Sequence, residues 1–185
     1  MFDFGLVGLG VMGRNFILNV ASKGFSAMGL SSKDDAINLL KREGADYRVD
    51  GTKSDEEFIK KLSRPRKIML LVPAGNPVDT VIERFLPYLD EGDIIIDGGN
   101  SHYDDTDRRY LYLKNKNIHF IGAGVSGGSK GARFGPSIMP GGDKECYKEI
   151  QPIFEAAAAK VKEEPCVSYL GITSSGHYVK MIHNG

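Results

Sequence analysis

The amino-acid sequence predicts a doubly wound α/β fold, in which helices cover both faces of a mostly parallel sheet. Two continuous apolar runs, residues 67–72 and 93–99, are typical of strands that are buried on both sides. Such runs alternate with amphipathic segments of helical period, which favours parallel strands joined by right-handed helical crossovers. A Gly-x-Gly-x-x-Gly motif at residues 8–13 stands where the first strand turns into the first helix.

The N-terminal part of the chain alternates between strand and helix patterns. Residues 4–9 form an apolar run bounded by glycine, which predicts a buried strand, and apolar residues from Met12 onward recur at helical spacing. Residues 24–30 predict a weaker strand. The next helix is predicted over 35–44 and ends at Gly44, a common C-terminal stop.

The central part of the chain repeats this alternation. Ser54 precedes Glu57 by three residues, and this capping-box pattern predicts a helix over 54–62. The following segments predict strand 67–72, amphipathic helix 78–89 and strand 93–99.

The C-terminal part continues in the same way. It predicts helix 105–116, strand 118–123, helix 143–159, a closing strand at 166–171, and a last helix that begins within 174–185. No internal repeat or linker interrupts the pattern, so the chain predicts one domain.

Composition limits the function classes. The 24 basic and 24 acidic residues cancel, which argues against binding nucleic acid or an anionic membrane. Two cysteines without a CxxC spacing suit a reducing compartment, and no apolar run approaches the ~20 residues that span a membrane. We therefore expect a cytoplasmic protein whose partner is a small molecule, with no metal ion at its site.

The glycine motif predicts a dinucleotide site. Gly8 permits a tight turn, Gly10 lets a pyrophosphate approach the backbone, and Gly13 lets the helix pack against the strand. The helix that begins around Val11 and Met12 then offers unpaired N–H groups to the phosphates. The alternative is a purely structural turn, but the strand–turn–helix context favours a Rossmann-like coenzyme fold.

The end of the second predicted strand bears on the choice of nucleotide. An acidic residue there favours NAD, whereas a cation favours the 2′-phosphate of NADP. The chain has Ser31, Ser32 and Lys33, whose hydroxyl and ammonium groups suit a phosphate. Alternatively a serine caps the next helix and Lys33 is solvated. We expect NADP, with NAD possible.

Three loops follow predicted strands at the edge where such folds bind ligands. They cover residues 73–79, 97–109 and 122–142, and the third is rich in glycine. Asn100 and Ser126 are the hydrogen-bonding side chains at the loop starts. Dense glycine suits an anionic ligand close to the backbone, although a merely flexible loop is the alternative.

The last predicted helix carries three polar side chains. Lys180, His183 and Asn184 stand at positions i, i+3 and i+4, so they project from one side of the helix. A lysine beside a nicotinamide suits a general base if burial lowers its pKa. The alternative is a solvated terminal helix.

These motifs together resemble the N-terminal domain of the 6-phosphogluconate dehydrogenases, which decarboxylate their substrate. The resemblance covers essentially the whole chain and rests on GLGVMGRN, IIIDGGNSHYDDTDRR, GVSGGSKGARFGPSIMPGG and GHYVKMIHNG. It implies a dinucleotide-binding domain over residues 1–174, with 175–185 starting a helix that leads into a C-terminal all-helical domain absent from this chain. It also implies a homodimer for the full-length protein and negligible turnover by this chain alone.

The resemblance implies roles for individual residues. Catalysis falls to Lys180 and Asn184, with Lys180 as the base for oxidation of 6-phosphogluconate to ribulose 5-phosphate and CO2. The substrate-binding positions are Asn100, Ser126, Gly127, Gly128 and His183. The coenzyme positions are Gly8, Gly10, Val11, Met12, Gly13, Ser31, Ser32, Lys33, Val72, Pro73, Ala74 and Asn100.

Two departures weaken the NADP assignment. The family usually has an asparagine-arginine-threonine run where this chain has Ser31, Ser32 and Lys33, and a lysine where it has Pro73. Neither change creates the acid typical of NAD binding. Two other function classes stay open: a 3-hydroxyacid dehydrogenase of the related superfamily, and a nucleotide-binding module without catalysis.

Overall fold

The chain forms one α/β unit around a seven-stranded sheet. The structure is a computed structural model that describes residues 1–184, so Gly185, at the end of the predicted last helix, lies outside the described residues. The strands are β1 Phe4–Val7, β2 Ala27–Leu30, β3 Val49–Thr52, β4 Lys67–Leu70, β5 Ile94–Asp97, β6 His119–Ser126 and β7 Ser137–Gly142.

The strand order is β3-β2-β1-β4-β5-β6-β7. All neighbouring pairs are parallel except β6 and β7, which pair antiparallel from Ile121 opposite Gly142 to Ser126 opposite Ser137. The order reverses direction at β1, which is the switch point of a doubly wound sheet. The predicted fold class is therefore confirmed.

Eight helices connect and flank these strands in the described part of the chain. They are α1 Val11–Ser22, α2 Asp34–Glu43, α3 Asp55–Lys60, α4 Asn76–Phe85, α5 Tyr103–Lys114, α6 Gly128–Phe134, α7 Lys144–Ala157 and α8 Ser175–Asn184. A 3-10 turn, Leu86–Tyr88, follows α4, and a small hairpin of β8 Lys160–Val161 and β9 Glu164–Pro165 follows α7. None of the helices within residues 1–184 has the length and apolarity needed to cross a membrane.

Two apolar cores lie on opposite faces of the sheet. One contains Phe16 of α1 and Phe154 of α7, both fully buried. The other contains Phe58 of α3 and Phe85 of α4, whose rings stack with centroids 5.8 Å apart. Because both faces are covered, the central strands have continuous apolar sequences.

Two local signals in the sequence are confirmed. Gly44 ends α2, and the Ser54 side chain caps α3 by accepting a hydrogen bond from the Glu57 N–H at 3.2 Å. The reciprocal half of the capping box is not formed, because the Glu57 carboxylate accepts instead from the Thr52 hydroxyl.

The closing strand predicted at 166–171 is wrong. That segment has no strand assignment, although it lies along β7. Three main-chain hydrogen bonds join the two, from the Ile138 N–H to Cys166, from the Leu170 N–H to Pro140 and from the Gly142 N–H to Gly171. The edge position belongs to β7, which lies within the segment 122–142, where the sequence predicts a loop. The sequence of β7 does not look like a strand, because it contains Pro140 and ends in two glycines. An edge strand nevertheless tolerates proline, since the N–H groups on one of its sides need no partner within the sheet.

β3, α6 and the small β8–β9 hairpin are not predicted by the sequence either. β3 is a short polar strand without alternation, and its pairing with β2 defines it. α6 is a seven-residue helix within the same glycine-rich segment.

Candidate functional site

A cleft of about 500 Å³ lies at the carboxyl ends of β1, β4, β5 and β6, where loops from four strands meet. α8 forms its remaining wall. The lining residues are Met12, Leu71, Val72, Pro73, Ala74, Gly98, Gly99, Asn100, Val125, Ser126, Gly127, Gly128, Lys180 and Asn184.

The turn from β1 to α1 leaves a helix N-terminus open to this cleft. Gly8 has φ +97°, and a Cβ there would lie 2.4 Å from the Leu71 carbonyl oxygen. A Cβ at Gly13 would lie 1.9 Å from the Gly8 carbonyl oxygen, whereas a Cβ at Gly10 would meet nothing within 4 Å. Since α1 has no side-chain cap and no acidic residue in its first turn, its N–H groups are free to face an anion.

The loop after β5 is shaped by a buried carboxylate. Asp97 accepts hydrogen bonds from the Gly99 N–H at 3.0 Å and from the Ser101 hydroxyl at 2.6 Å. These bonds close the turn around Gly98 and Gly99, so that Asn100 stands exposed at the cleft.

Arg109 joins this loop to the loop after β4. Its guanidinium contacts Asp97 at 3.4 Å, donates to Ser101 at 3.1 Å and to the Gly75 carbonyl at 3.0 Å, and forms a two-pronged pair with Asp79 at 2.9 and 3.0 Å. Hydrogen bonds from Arg109 and Arg108, with Arg109 the stronger influence, lower the pKa of Asp79 to about 2. Two walls of the cleft are therefore tied by one buried cation.

Lys180 is buried at the inner wall of the cleft, with 8% of its surface exposed. Its Nζ donates a hydrogen bond to the main-chain carbonyl of Val125, and within residues 1–184 no carboxylate pairs with it. Burial lowers the pKa of Lys180 below its usual range. A larger neutral fraction near pH 7 makes this amine a better proton acceptor.

Glycines set the depth at which α8 docks. A Cβ at Gly124 would lie 2.5 Å from the Lys180 Cβ, and a Cβ at Gly176 would lie 2.2 Å from the Met139 carbonyl oxygen. The absence of side chains at these two positions lets α8 cross β6 and β7 closely enough to bury Lys180.

A second cavity of about 380 Å³ adjoins the cleft and shares Asn100, Lys180 and Asn184 with it. His177 lines this cavity, 2% exposed, with its Nδ1 2.6 Å from the Thr106 hydroxyl. Burial lowers the pKa of His177, which favours the neutral imidazole. Lys180 thus lines both spaces.

The residues proposed from the sequence fall into four groups. Those lining the 500 Å³ cleft are Met12, Val72, Pro73, Ala74, Asn100, Ser126, Gly127, Gly128, Lys180 and Asn184. Gly10, Val11 and Gly13 form the adjoining turn, and Gly8, Ser31 and Ser32 line a third cavity of about 210 Å³. Lys33 and His183 are exposed and line none of these three cavities, and the His183 Nδ1 lies 3.3 Å from Asn184 Oδ1.

Sequence reasoning missed four polar residues near the site. Arg109 and His177 lie in the motifs 97–109 and 174–185, yet nothing in the spacing shows that they are buried. Lys53 follows the unrecognised β3, and Arg84 lies on the amphipathic α4, where a charged residue is typical of a solvated face. Among the described residues, no cluster of three or more His, Cys, Asp or Glu is arranged to hold a metal ion.

Comparison with known proteins decides the family. Residues 3–171 match the family model described as the NAD binding domain of 6-phosphogluconate dehydrogenase. The chain belongs to the 6-phosphogluconate dehydrogenase family. It is 52% identical over 184 residues to 6-phosphogluconate dehydrogenase, decarboxylating 1, of Saccharomyces cerevisiae, covering 99% of this chain and 38% of the yeast protein. It is 50% identical to the NADP(+)-dependent, decarboxylating enzyme of Bacillus subtilis, covering 99% of this chain and 39% of that protein.

Solved structures agree with this family assignment. The 6-phosphogluconate dehydrogenase of Plasmodium falciparum, described in its apo form and in complex with NADP+ or 6-phosphogluconate, has TM-score 0.95 and 44% identity. That match covers 98% of this chain and 39% of the Plasmodium chain. A 3-hydroxyisobutyrate dehydrogenase of Salmonella typhimurium has TM-score 0.83 over 99% of this chain and 61% of its own, but 23% identity, so it shares the fold alone. The chain thus spans about two fifths of the length of the 6-phosphogluconate dehydrogenases that it matches.

Proposed function

We propose that this chain is the coenzyme-binding part of an enzyme that oxidises 6-phosphogluconate with NADP+, giving ribulose 5-phosphate and CO2. The observation that carries the proposal is Lys180, a buried amine without a carboxylate partner among the described residues, placed between two adjoining cavities. A lysine whose charged form is disfavoured by burial and which faces a cleft is a strong candidate for a general base. Family membership supports this class of reaction for the whole protein.

The residues of the cleft fit a nicotinamide dinucleotide. The open position at Gly10 and the uncapped N-terminus of α1 suit a pyrophosphate. Val72 and Ala74 give the cleft apolar surface, and Asn100 and Ser126 add hydrogen-bonding side chains to its lining. When bound, NADP+ supplies the acceptor for the hydride that leaves the substrate.

In the first step, we assign Lys180 the role of base. Its neutral Nζ takes the proton of the C3 hydroxyl while the C3 hydride departs, and C3 becomes a carbonyl. The Val125 carbonyl holds the amine at the cleft wall, so that the proton arrives on an already placed nitrogen. Asn100, Ser126, Gly127 and Gly128 lie at this wall and suit the sugar acid.

In the second step, Lys180 acts as an acid. The C1 carboxylate leaves as CO2, and the electrons of the broken C1–C2 bond move toward the C3 carbonyl oxygen. Protonated Lys180 returns its proton to that oxygen, which gives an enediol. Protonation of the enediol at carbon by a second acid then forms ribulose 5-phosphate.

The proposal also covers the full-length protein of which this chain is a part. Because the chain spans about two fifths of its relatives' length, we propose that residues 1–174 form the dinucleotide-binding domain and that α8 leads into a further helical domain. We also propose that the full-length protein is a homodimer. By itself, the 185-residue chain then turns over 6-phosphogluconate negligibly.

The test removes the amine of Lys180 but keeps a side chain of similar size. Lys180→Met in the full-length enzyme keeps a long apolar side chain in the same pocket, and we expect kcat for 6-phosphogluconate to fall about 10³-fold. The NADP+ affinity of the variant, measured by titration, stays close to that of the unchanged enzyme. In the unchanged enzyme kcat/KM rises with pH through the pKa of Lys180, which lies below the ordinary lysine value because burial disfavours the charged amine.

The rival functions give different results. A 3-hydroxyacid dehydrogenase prefers 3-hydroxyisobutyrate and releases no CO2, whereas a nucleotide-binding module oxidises neither acid. Full turnover of 6-phosphogluconate by Lys180→Met contradicts the role of the lysine. Full turnover by the 185-residue chain alone contradicts its assignment as a part of the enzyme.

A further inference from the structure

A third cavity of about 210 Å³ lies beyond the carboxyl end of β2, next to the main cleft. Its walls include Gly8 and Val72, so it adjoins both the glycine turn and the coenzyme cleft. In a dinucleotide-binding fold, the end of this strand faces the 2′ position of the adenosine ribose. The cavity is therefore placed to receive whatever substituent the ribose carries.

The polar side chains that line this cavity are two hydroxyls and two cations. They are Ser31 and Ser32 after β2, Lys53 after β3, and Arg84 on α4. The remaining lining residues are apolar or glycine, and no carboxylate is among them. This donor set suits a phosphomonoester dianion, since lysine, arginine and serine all donate to phosphate oxygens.

Each cation pairs with an acid that is not among the lining residues of the cavity. Lys53 Nζ is 2.9 Å from Asp34, and Arg84 contacts the two oxygens of Asp55 at 2.9 and 2.6 Å. The Lys53 and Arg84 side chains are half exposed, at 53% and 50%. Ion pairs this exposed contribute little to stability, so a dianion in the cavity competes with them at small cost.

We propose that Lys53 and Arg84 bind the 2′-phosphate of NADP+ and set the coenzyme preference of this chain. The inference rests on the proposed coenzyme function and adds two residues, on elements other than the β2–α2 turn. Lys33, which the sequence offers for this role, is exposed at the start of α2 and does not line the cavity. The ribose 2′-hydroxyl of NAD lacks the acidic acceptor that such folds place here.

The experiment titrates NADP+ and NAD+ separately into the purified chain by calorimetry. We expect Lys53→Ala and Arg84→Ala each to weaken NADP+ binding about tenfold, because each removes one charge-assisted hydrogen bond. NAD+ binding changes less than about twofold, since it has no phosphate there. Adenosine 2′,5′-bisphosphate and 5′-AMP repeat the comparison on the adenosine half alone. We expect the alanine variants to weaken binding of the bisphosphate and to leave binding of 5′-AMP nearly unchanged.

Matched control variants break the same two ion pairs by replacing the acid instead of the cation. Asp34→Asn and Asp55→Asn release Lys53 and Arg84 without removing the cations, so NADP+ affinity is kept or increased. Thermal melting of all four variants verifies that they fold. If these controls lose as much NADP+ affinity as the alanine variants, the ion pairs matter only for structure and the inference fails.

The outcomes separate this inference from the proposed function. A chain that prefers NADP+ and keeps that preference in both alanine variants overturns the role of Lys53 and Arg84 but leaves the function standing. Loss of the preference in Lys33→Ala alone overturns that role in the same way. A chain that binds NAD+ more tightly, or neither nucleotide, overturns the inference directly. Loss of preference in the Lys53 and Arg84 variants, without 6-phosphogluconate oxidation by the full-length enzyme, supports the inference and rejects the function.

Discussion

At the scale of single residues, Arg109 organises the cleft without lining it. The side chain is 1% exposed, and its guanidinium satisfies Asp79, Asp97, Ser101 and the Gly75 carbonyl together. Removing one partner of such a buried set leaves charge unpaired, which costs about 3–5 kcal/mol. The geometry of Asn100 and of the loop after β4 therefore depends on a cation that does not itself line the cleft.

The pH dependence of stability tests this arrangement. The folded-state pKa of Asp79 is about 2, below the ordinary 3.8, so its contribution is fully present above the unfolded-state pKa and is lost as pH falls toward 2. We expect Asp79→Asn to lower the free energy of unfolding at pH 7. The difference from the unchanged protein shrinks as pH falls from about 4 to about 2. Urea unfolding at a series of pH values measures that difference, and a pH-independent difference contradicts the pairing.

The last helix shows what spacing alone can and cannot predict. At about 100° per residue, Asn184 lies about 40° to one side of Lys180 and His183 about 60° to the other. The three therefore share a broad sector of the helix, but only Lys180 and Asn184 face the cleft. The burial that lowers the pKa of Lys180 depends on the close approach at Gly124 and Gly176, and spacing within one helix carries no information about that fit between distant segments.

At the scale of elements, the glycines in the turn from β1 to α1 have two different roles, one in the fold and one in ligand binding. A side chain at Gly13 collides with the Gly8 backbone, whereas one at Gly10 points into open space. The fold therefore needs Gly8 and Gly13 of this motif, whereas the small size of Gly10 matters only when a ligand approaches.

Two alanine substitutions separate these roles. Gly13→Ala places a methyl group 1.9 Å from a carbonyl oxygen, and we expect it to lower the free energy of unfolding by about 2–3 kcal/mol. Gly10→Ala costs less than about 1 kcal/mol, the difference between glycine and alanine at an N-cap, yet weakens NADP+ binding at least about tenfold by obstructing the pyrophosphate. Thermal melting and nucleotide titration of both variants make the comparison. Equal loss of stability in the two variants contradicts the assignment.

The elements that the sequence predicts correctly are those whose signal is local. The buried strands β4 and β5 are visible as apolar runs, and the capping serine of α3 lies three residues from its partner. β3 and β7 exist because a neighbouring strand pairs with them, and neither carries a pattern of its own. The error at 166–171 has the same origin, because that apolar segment lies along β7 and bonds to it without the continuous register that defines a strand.

At the scale of the whole molecule, the cleft exists only in the folded chain. Its walls come from the ends of four strands and from α8, and they are far apart in the sequence. The sheet order and the docking of α8 bring together the glycine turn, the two cations beyond β2, and Lys180. A dinucleotide that bridges these parts binds the native state and not the unfolded chain.

Coenzyme binding must therefore raise the thermal stability of the chain. At a concentration 100 times its Kd, NADP+ adds about 2.7 kcal/mol to the free energy of unfolding, which corresponds to a rise in Tm of about 5–10 °C for a chain of this size. NAD+ at the same concentration gives a smaller rise, since it leaves Lys53 and Arg84 with their acidic partners. In the double variant Lys53→Ala/Arg84→Ala, the NADP+ rise falls to the NAD+ value, while Asp34→Asn/Asp55→Asn retains it. Differential scanning calorimetry over a series of nucleotide concentrations measures all four cases. Equal rises for both nucleotides in the unchanged chain contradict the link between these two cations and the stability of the folded state.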